Sequence, residues 1–305
     1  MDAKINKQRL SNLFSYDWLK IAVLIVVSVF FWNVALSTLG TKPTMAQQMF
    51  FIYYDDLYAG QDADALEKKL VKTDGADGVF SSEVFECYSL YLSSDPSYAG
   101  LALSMRMAAG QYSFGFASDT EREEGVTYLE EFLSSCYVLV EDLDTYFADA
   151  EAYFTAYYGE DMENGSLNSS YLEEQFRARC KGDKRYRSEK NIRKGLEEEA
   201  LRIEKTKNSY LTVKKALFEG VISVQPSTLT SEETGERFTK NYSFDLGGSR
   251  LSSLSRLLYR EEDGVQTAKD VRLFFFRLTK DAHQYMRFEK LNYLAYLLDT
   301  YTDRL

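Results

Sequence analysis

Residues 48–58 read QMFFIYYDDLY. Aromatic and branched side chains fill a run too short for a stable helix, and it stops at an acidic corner ahead of Gly60, so it reads as a buried strand. Downstream, residues 63–71 have helical spacing. The segment Asp74-Gly75-Ala76-Asp77-Gly78 is a turn signal whose two aspartates form the turn rather than ligate calcium. Residues 79–92 make a second strand candidate, ending at Ser93-Ser94-Asp95-Pro96. Residues 101–109 are helical up to Gly110, and residues 112–117 make a third strand. Strand, helix, strand, helix, strand predicts an α/β fold with a mostly parallel sheet and crossover helices.

Beyond the acidic link at 119–124 the period changes. Leu129, Leu133, Cys136, Val140, Leu143, Phe147, Ala150, Phe154 and Tyr157 follow one another by three and four, the spacing of one long helical seam that ends at Gly159. A second seam runs through Ile192, Leu196, Ile203, Tyr210, Val213 and Leu217, with a polar loop expected at 159–170. Positions 119–151 carry eleven acidic residues and one basic, while 177–194 carry nine basic and two acidic. Mutual attraction would draw the two segments together, although exposed pairs contribute little singly. Strand signals return at 221–224, 237–246 and 271–278. The last, VRLFFFRL, is apolar enough for burial on both faces. A helix over 282–301 closes the chain, so the sheet should be built from both ends of the domain with long helices inserted between.

Upstream, residues 21–39 read IAVLIVVSVFFWNVALSTL, nineteen residues without a charge. At about 1.5 Å per residue they extend roughly 28 Å, close to the hydrocarbon thickness of a bilayer. Lys4, Lys7, Arg9 and Lys20 precede this run, and Lys42 alone follows it closely. That asymmetry predicts a cytoplasmic amino terminus at 1–20, a transmembrane signal anchor at 21–39 and an extracytoplasmic domain at 43–305. A cleaved signal peptide is the alternative, with small residues at Ala35-Leu36-Ser37 or Thr44-Met45-Ala46 as cleavage sites.

The net charge is −11, and setting aside residues 1–20 makes it −13, with 32 basic against 45 acidic residues. Such a surface repels nucleic acid, which is not an expected partner. Cys87, Cys136 and Cys180 follow no zinc or disulfide pattern, and read as three buried thiols or as one bridged pair and a free thiol. His283 is the only histidine, so histidine metal sites and most nucleophilic triads are not expected. Neither a nucleophile elbow, a phosphate-binding Gly-Lys loop nor a dinucleotide glycine fingerprint occurs. The expectation is a protein that is not an enzyme and uses no cofactor or metal.

Three segments together resemble the first lobe of ABC-type extracellular solute-binding proteins of bacteria: MFFIYYDD at 49–56, LALSMRMAAGQYSFGFA at 101–117 and LVEDLDTYF at 139–147. The whole looks like a membrane-anchored bacterial family that borrows this lobe. The resemblance implies a cell-surface, solute-binding-like domain, alternatively an interaction ectodomain that no longer binds a ligand. In open parallel sheets a ligand lies beyond the carboxyl ends of the strands. That rule points to Tyr54, Asp55 and Asp56 after the first strand and to Ser118 and Asp119 after the third. Arg177, Arg179 and Arg185 of the basic run are candidates for contacting a partner. The expected partners are the lipid bilayer through residues 21–39, a small solute or sugar, and an ABC transporter or cell-wall component.

Overall fold

The computed structural model describes residues 18–39, 47–71, 78–81, 84, 86–94, 98–123, 125–230, 234–277 and 284–303. The basic residues Lys4, Lys7 and Arg9, the turn at 74–77, Pro96 and His283 lie outside them. The chain divides into two compact units, Met1–Pro43 and Thr44–Leu305.

The first unit holds one helix, α1 (Trp18–Leu39). Its apolar side chains are exposed on every side, Leu24 and Phe30 by more than two thirds. Among the described residues no helix is long and apolar enough to cross a membrane, so the transmembrane anchor expected at 21–39 is not supported there. The described side chains of α1 stop at Val34, five residues before the helix itself does.

The second unit is built on a six-stranded mixed sheet. Its first half is the expected one: β1 (Gln48–Tyr53) lies between β3 (Glu86–Tyr91) and β4 (Phe114–Ser118), parallel to both. A two-residue β2 (Tyr58–Ala59) and helix α2 (Ala63–Leu70) connect β1 to β3, and α3 (Ala99–Ala108) connects β3 to β4. The second half comes from the far end of the chain and runs otherwise. Strands β7 (Ser223–Thr230), β8 (Arg237–Asp245) and β11 (Val271–Phe275) add in the order β4-β11-β8-β7, each antiparallel to its neighbour. Four of the six strands still point the same way, which is as far as a mostly parallel sheet is realised. The hairpin β5 (Glu121–Glu123) and β6 (Val126–Thr127) follows β4. Strands β9 (Leu258–Glu262) and β10 (Val265–Thr267), turning at Asp263-Gly264 with both φ positive, join β2 in a small separate sheet.

Alternation sorts the side chains onto two faces. Phe51, Tyr53, Phe114, Phe116, Leu273 and Phe275 enter one core, while Ile52, Ala117, Phe274 and Phe276 enter the other. All five residues of β11 are buried, four of them apolar and the fifth, Arg272, paired with Asp119 and Asp245. Gly115 is needed there, because a Cβ at that position would sit 1.9 Å from the Phe274 ring.

The seam at 129–157 is not one helix. Helix α4 (Tyr128–Cys136) starts at a Thr127–Glu130 capping box, and a 3-10 turn (Tyr137–Leu139) follows. Val140 then bridges Phe276, and the Glu141 N–H donates to the Phe275 carbonyl at 2.8 Å. Asp142 caps a fresh helix, α5 (Leu143–Tyr158). This break carries the chain past the sheet end: Leu129, Phe132, Leu133 and Cys136 pack on the Phe274 face, whereas Leu143, Tyr146, Ala150 and Phe154 pack on the Phe275 face. Both stretches are apolar at helical spacing, so the periodicity continues across an interruption that only the sheet imposes.

Helix α6 (Ser169–Arg179), capped by Asn168, begins where the polar loop was expected to end and went unforeseen. The second seam forms a single 30-residue helix, α7 (Glu189–Phe218), and α8 (Lys290–Tyr301) closes the domain. Helices α5 and α7 pack through aromatic contacts such as Phe154–Tyr210, with centroids 5.3 Å apart. The three cysteines are free, and only Cys136 is buried, the other two being half-buried.

Candidate functional site at the sheet switch point

The connection from β1 runs to one side of the sheet and the connection from β3 returns to the other, so strand order reverses between β1 and β4. Parallel neighbours bring their carboxyl ends to the same edge, and at a reversal the flanking loops diverge and leave room for a ligand. Tyr54, Asp55 and Asp56 leave β1 at this edge, and Ser118 ends β4 beside them. The turn is held by two 2.8 Å backbone hydrogen bonds, from the Tyr54 N–H to the Phe116 carbonyl and from the Leu57 N–H to the Tyr54 carbonyl.

Asp56 points inward. The Ser118 hydroxyl donates to its Oδ2, Thr120 Oγ1 lies 2.6 Å from Ser118 Oγ, and Thr120 also reaches Asp56 at 3.5 Å. Its other oxygen, Oδ1, is buried with no hydrogen-bond partner among the described residues. Burial lifts the Asp56 carboxyl above the usual carboxylate range in spite of the two hydroxyls and nearby Arg260.

Asp55 faces outward to Arg122, which the β5–β6 hairpin carries across the edge. The guanidinium lies 3.3 Å from Asp55, 2.5 Å from Glu131 and 3.5 Å from the Tyr54 hydroxyl, and sits over the Tyr128 ring at 5.5 Å. Glu131 and Tyr128 come from the start of α4, where the Thr127 cap fixes their direction. Tyr54 packs on Phe132, centroids 4.6 Å apart, so its ring is anchored in the core while its hydroxyl meets the arginine. Burial, followed by the negative charge of Glu131, pushes that hydroxyl up to about 12. The Arg122 side chain remains 34% exposed.

The sequence reading thus finds four of its five ligand candidates together: Tyr54, Asp55, Asp56 and Ser118. Asp119 is turned aside, pairing with Arg272 at 3.1 Å, which in turn pairs with Asp245 at the end of β8. Thr120, Arg122, Tyr128 and Glu131 were missed. Arg122 carried a usable signal, being the only basic residue in an otherwise acidic stretch.

Contrary to the charge pattern, the three arginines singled out in the basic run have carboxylate partners outside the acidic segment 119–151. Arg177 pairs with Glu173 at 2.7 Å and with Glu189 at 3.1 Å, Arg179 with Glu199 at 2.8 Å, and Arg185 with Asp183 at 2.9 Å. Arg177–Glu173 follows helix spacing, Arg177–Glu189 and Arg179–Glu199 tie α6 to α7, and Arg185–Asp183 is a turn contact, so these arginines find carboxylates nearer in the chain than the acidic segment. Lys214 pairs with Glu151 at 3.4 Å and Arg202 donates to the Tyr153 hydroxyl at 3.1 Å, joining α7 to α5. A cavity of about 590 Å³ lies between α7 and residues 78–81, but its central cation, Lys205, donates to the Gly78 and Phe80 carbonyls. Among the described residues no group of three metal-ligating side chains gathers. No protein-family model matches the chain, and no curated protein or solved structure is significantly similar to it.

Proposed function

We propose that this is a single-pass, membrane-anchored cell-surface protein whose outer α/β domain captures a small solute, without catalysis, at the switch point between β1 and β4. Capture would serve directly or on behalf of a transporter. The observation that carries this reading is the convergence of Tyr54, Asp55 and Asp56 with Ser118 and Thr120 at the reversal of strand order. Asp56 strengthens it. A half-buried carboxylate with an unpartnered oxygen costs stability, and an ordinary strand end would be capped more cheaply by asparagine. The anchor is supported by the uncharged run at 21–39 in the sequence and by the outward apolar side chains between Leu19 and Val34, which call for a non-aqueous surrounding. The basic residues before it orient the domain outward.

Thermal-shift screening of the detergent-solubilised full chain against sugars, amino acids, short peptides and amines tests capture. A ligand should raise the midpoint by mass action in wild type and less in Asp56→Asn. That variant should itself be more stable than wild type at neutral pH, since the cost of the buried charge is gone. If no compound in the panel moves the midpoint, the capture reading fails.

A second reading, an interaction ectodomain without a ligand, draws on α3, which has no buried residue and exposes Tyr98, Leu101 and Met105 along one face. Under this reading a stoichiometric partner co-purifies with the full chain and is lost in Leu101→Glu.

A further inference from the structure

Resting on the capture reading, we propose that the cage around Arg122 is a binding site for a small guanidinium or amine solute, and that Arg122 occupies it in the absence of that solute. Four side chains from two elements converge on one cation: Tyr54 and Asp55 from the end of β1, Tyr128 and Glu131 from the start of α4. Two carboxylates and an aromatic face form the arrangement that recognises a guanidinium or ammonium group. One arginine leaves this cage with a net negative charge, and Asp56 stands behind it. A neutral sugar would leave the same charges uncompensated, so the chemistry favours a cation.

Access separates Arg122 from the buried arginines, and the meeting of two carboxylates with two tyrosines separates it from the more exposed Arg177, Arg185 and Arg256. Arg272 is 10% exposed and Arg202 is 3% exposed, each locked into the core by its carboxylates. Arg122 is 34% exposed on a short hairpin, and Asp55 and Glu131 are 26% and 41% exposed. Ion pairs this open to water contribute little, so turning the side chain out into solvent is cheap and needs no backbone movement. An incoming guanidinium would remake the contacts that Arg122 gives up. Self-occupancy then lowers the apparent affinity by the fraction of molecules in which the cage is free.

Calorimetric titration of the full chain in detergent distinguishes the outcomes, with ethylguanidinium, 1,5-diaminopentane, glucose and N-acetylglucosamine as titrants. Ethylguanidinium should bind wild type, bind Arg122→Ser about tenfold more tightly, and fail to bind Asp55→Asn. Arg122→Gln replaces the serine variant if circular dichroism finds the latter unfolded. Binding to the Arg122 variant alone would mean that the titrant merely fills the gap left by the deleted side chain, and would overturn the proposal. Equal binding to all three proteins would overturn it too. Sugar binding without cation binding removes this inference and keeps the capture reading, whereas silence from every titrant removes both.

Discussion

Two groups of arginines and carboxylates in this domain use the same chemistry to opposite ends. At the switch point Arg122 lies among Asp55, Glu131 and two tyrosines, open to water. On the Phe275 side of the sheet Arg202, 3% exposed, lies between Glu199 at 2.8 Å and Glu289 at 3.5 Å, while Arg287 holds Glu141 at 2.8 Å and Asp149 at 2.6 Å. Burial pushes the Glu199 carboxyl up, but Arg202 and Arg179 outweigh it and hold it below the usual range. Lys290, fully buried beside Glu141, donates to the Phe276 carbonyl and is pushed down by burial to about 8. The contrast teaches that solvent access, not residue type, decides what a charge cluster is for. A buried cluster is fixed, because each ion depends on its neighbours for the solvation it lost. An open one can exchange its cation.

The largest expected effect tests the fixed side. Arg202→Met leaves Glu199 and Glu289 buried without their shared cation and should cost about 3–5 kcal/mol in urea unfolding. A loss under about 1 kcal/mol would mean that the network behaves like a surface one. The next effect is on pH. An unfolded lysine keeps its proton to about 10.5 and Lys290 in the fold only to about 8, so between these values the unfolded chain binds more protons and stability rises with pH. The rise should be clearest from about pH 8 to 9, before Cys136, held up to about 12 by burial, and then the buried tyrosines reverse the slope. Lys290→Met should abolish it, and a rise that survives would assign the titration to another group. The smallest effect belongs to the open side. Arg122→Ser should change unfolding stability by less than about 1 kcal/mol. A cost as large as that of Arg202→Met would make both clusters structural and dissolve the contrast.

Much of this domain could be read along the chain. The strands around Phe51, Phe116 and Phe274 announce themselves because a buried strand needs nothing but apolar, branched and aromatic residues. The 30-residue α7 follows from the spacing of Ile203, Tyr210 and Val213. The site was partly legible for a topological reason: once β1 and β4 are parallel neighbours, Asp56 and Ser118 must meet. Arg122 and Glu131 were not, because a hairpin and a helix start reach that edge only when the whole sheet is assembled. Charge misled where α6 was unseen. With Glu173 and Glu199 at hand, Arg177 and Arg179 had nearer partners than the acidic segment.

The sequence by itself determined the main strands and the long helix α7, that α1 is a separate apolar element, and that the sheet draws on both ends of the domain. Those properties depend on local pattern and composition, which survive any arrangement in space. Only the tertiary structure decided that β11 inserts antiparallel between β4 and β8, that the seam breaks at Val140, and which carboxylate each arginine meets. These are settled by long-range pairing and by where water is excluded, and neither leaves a trace in residue spacing.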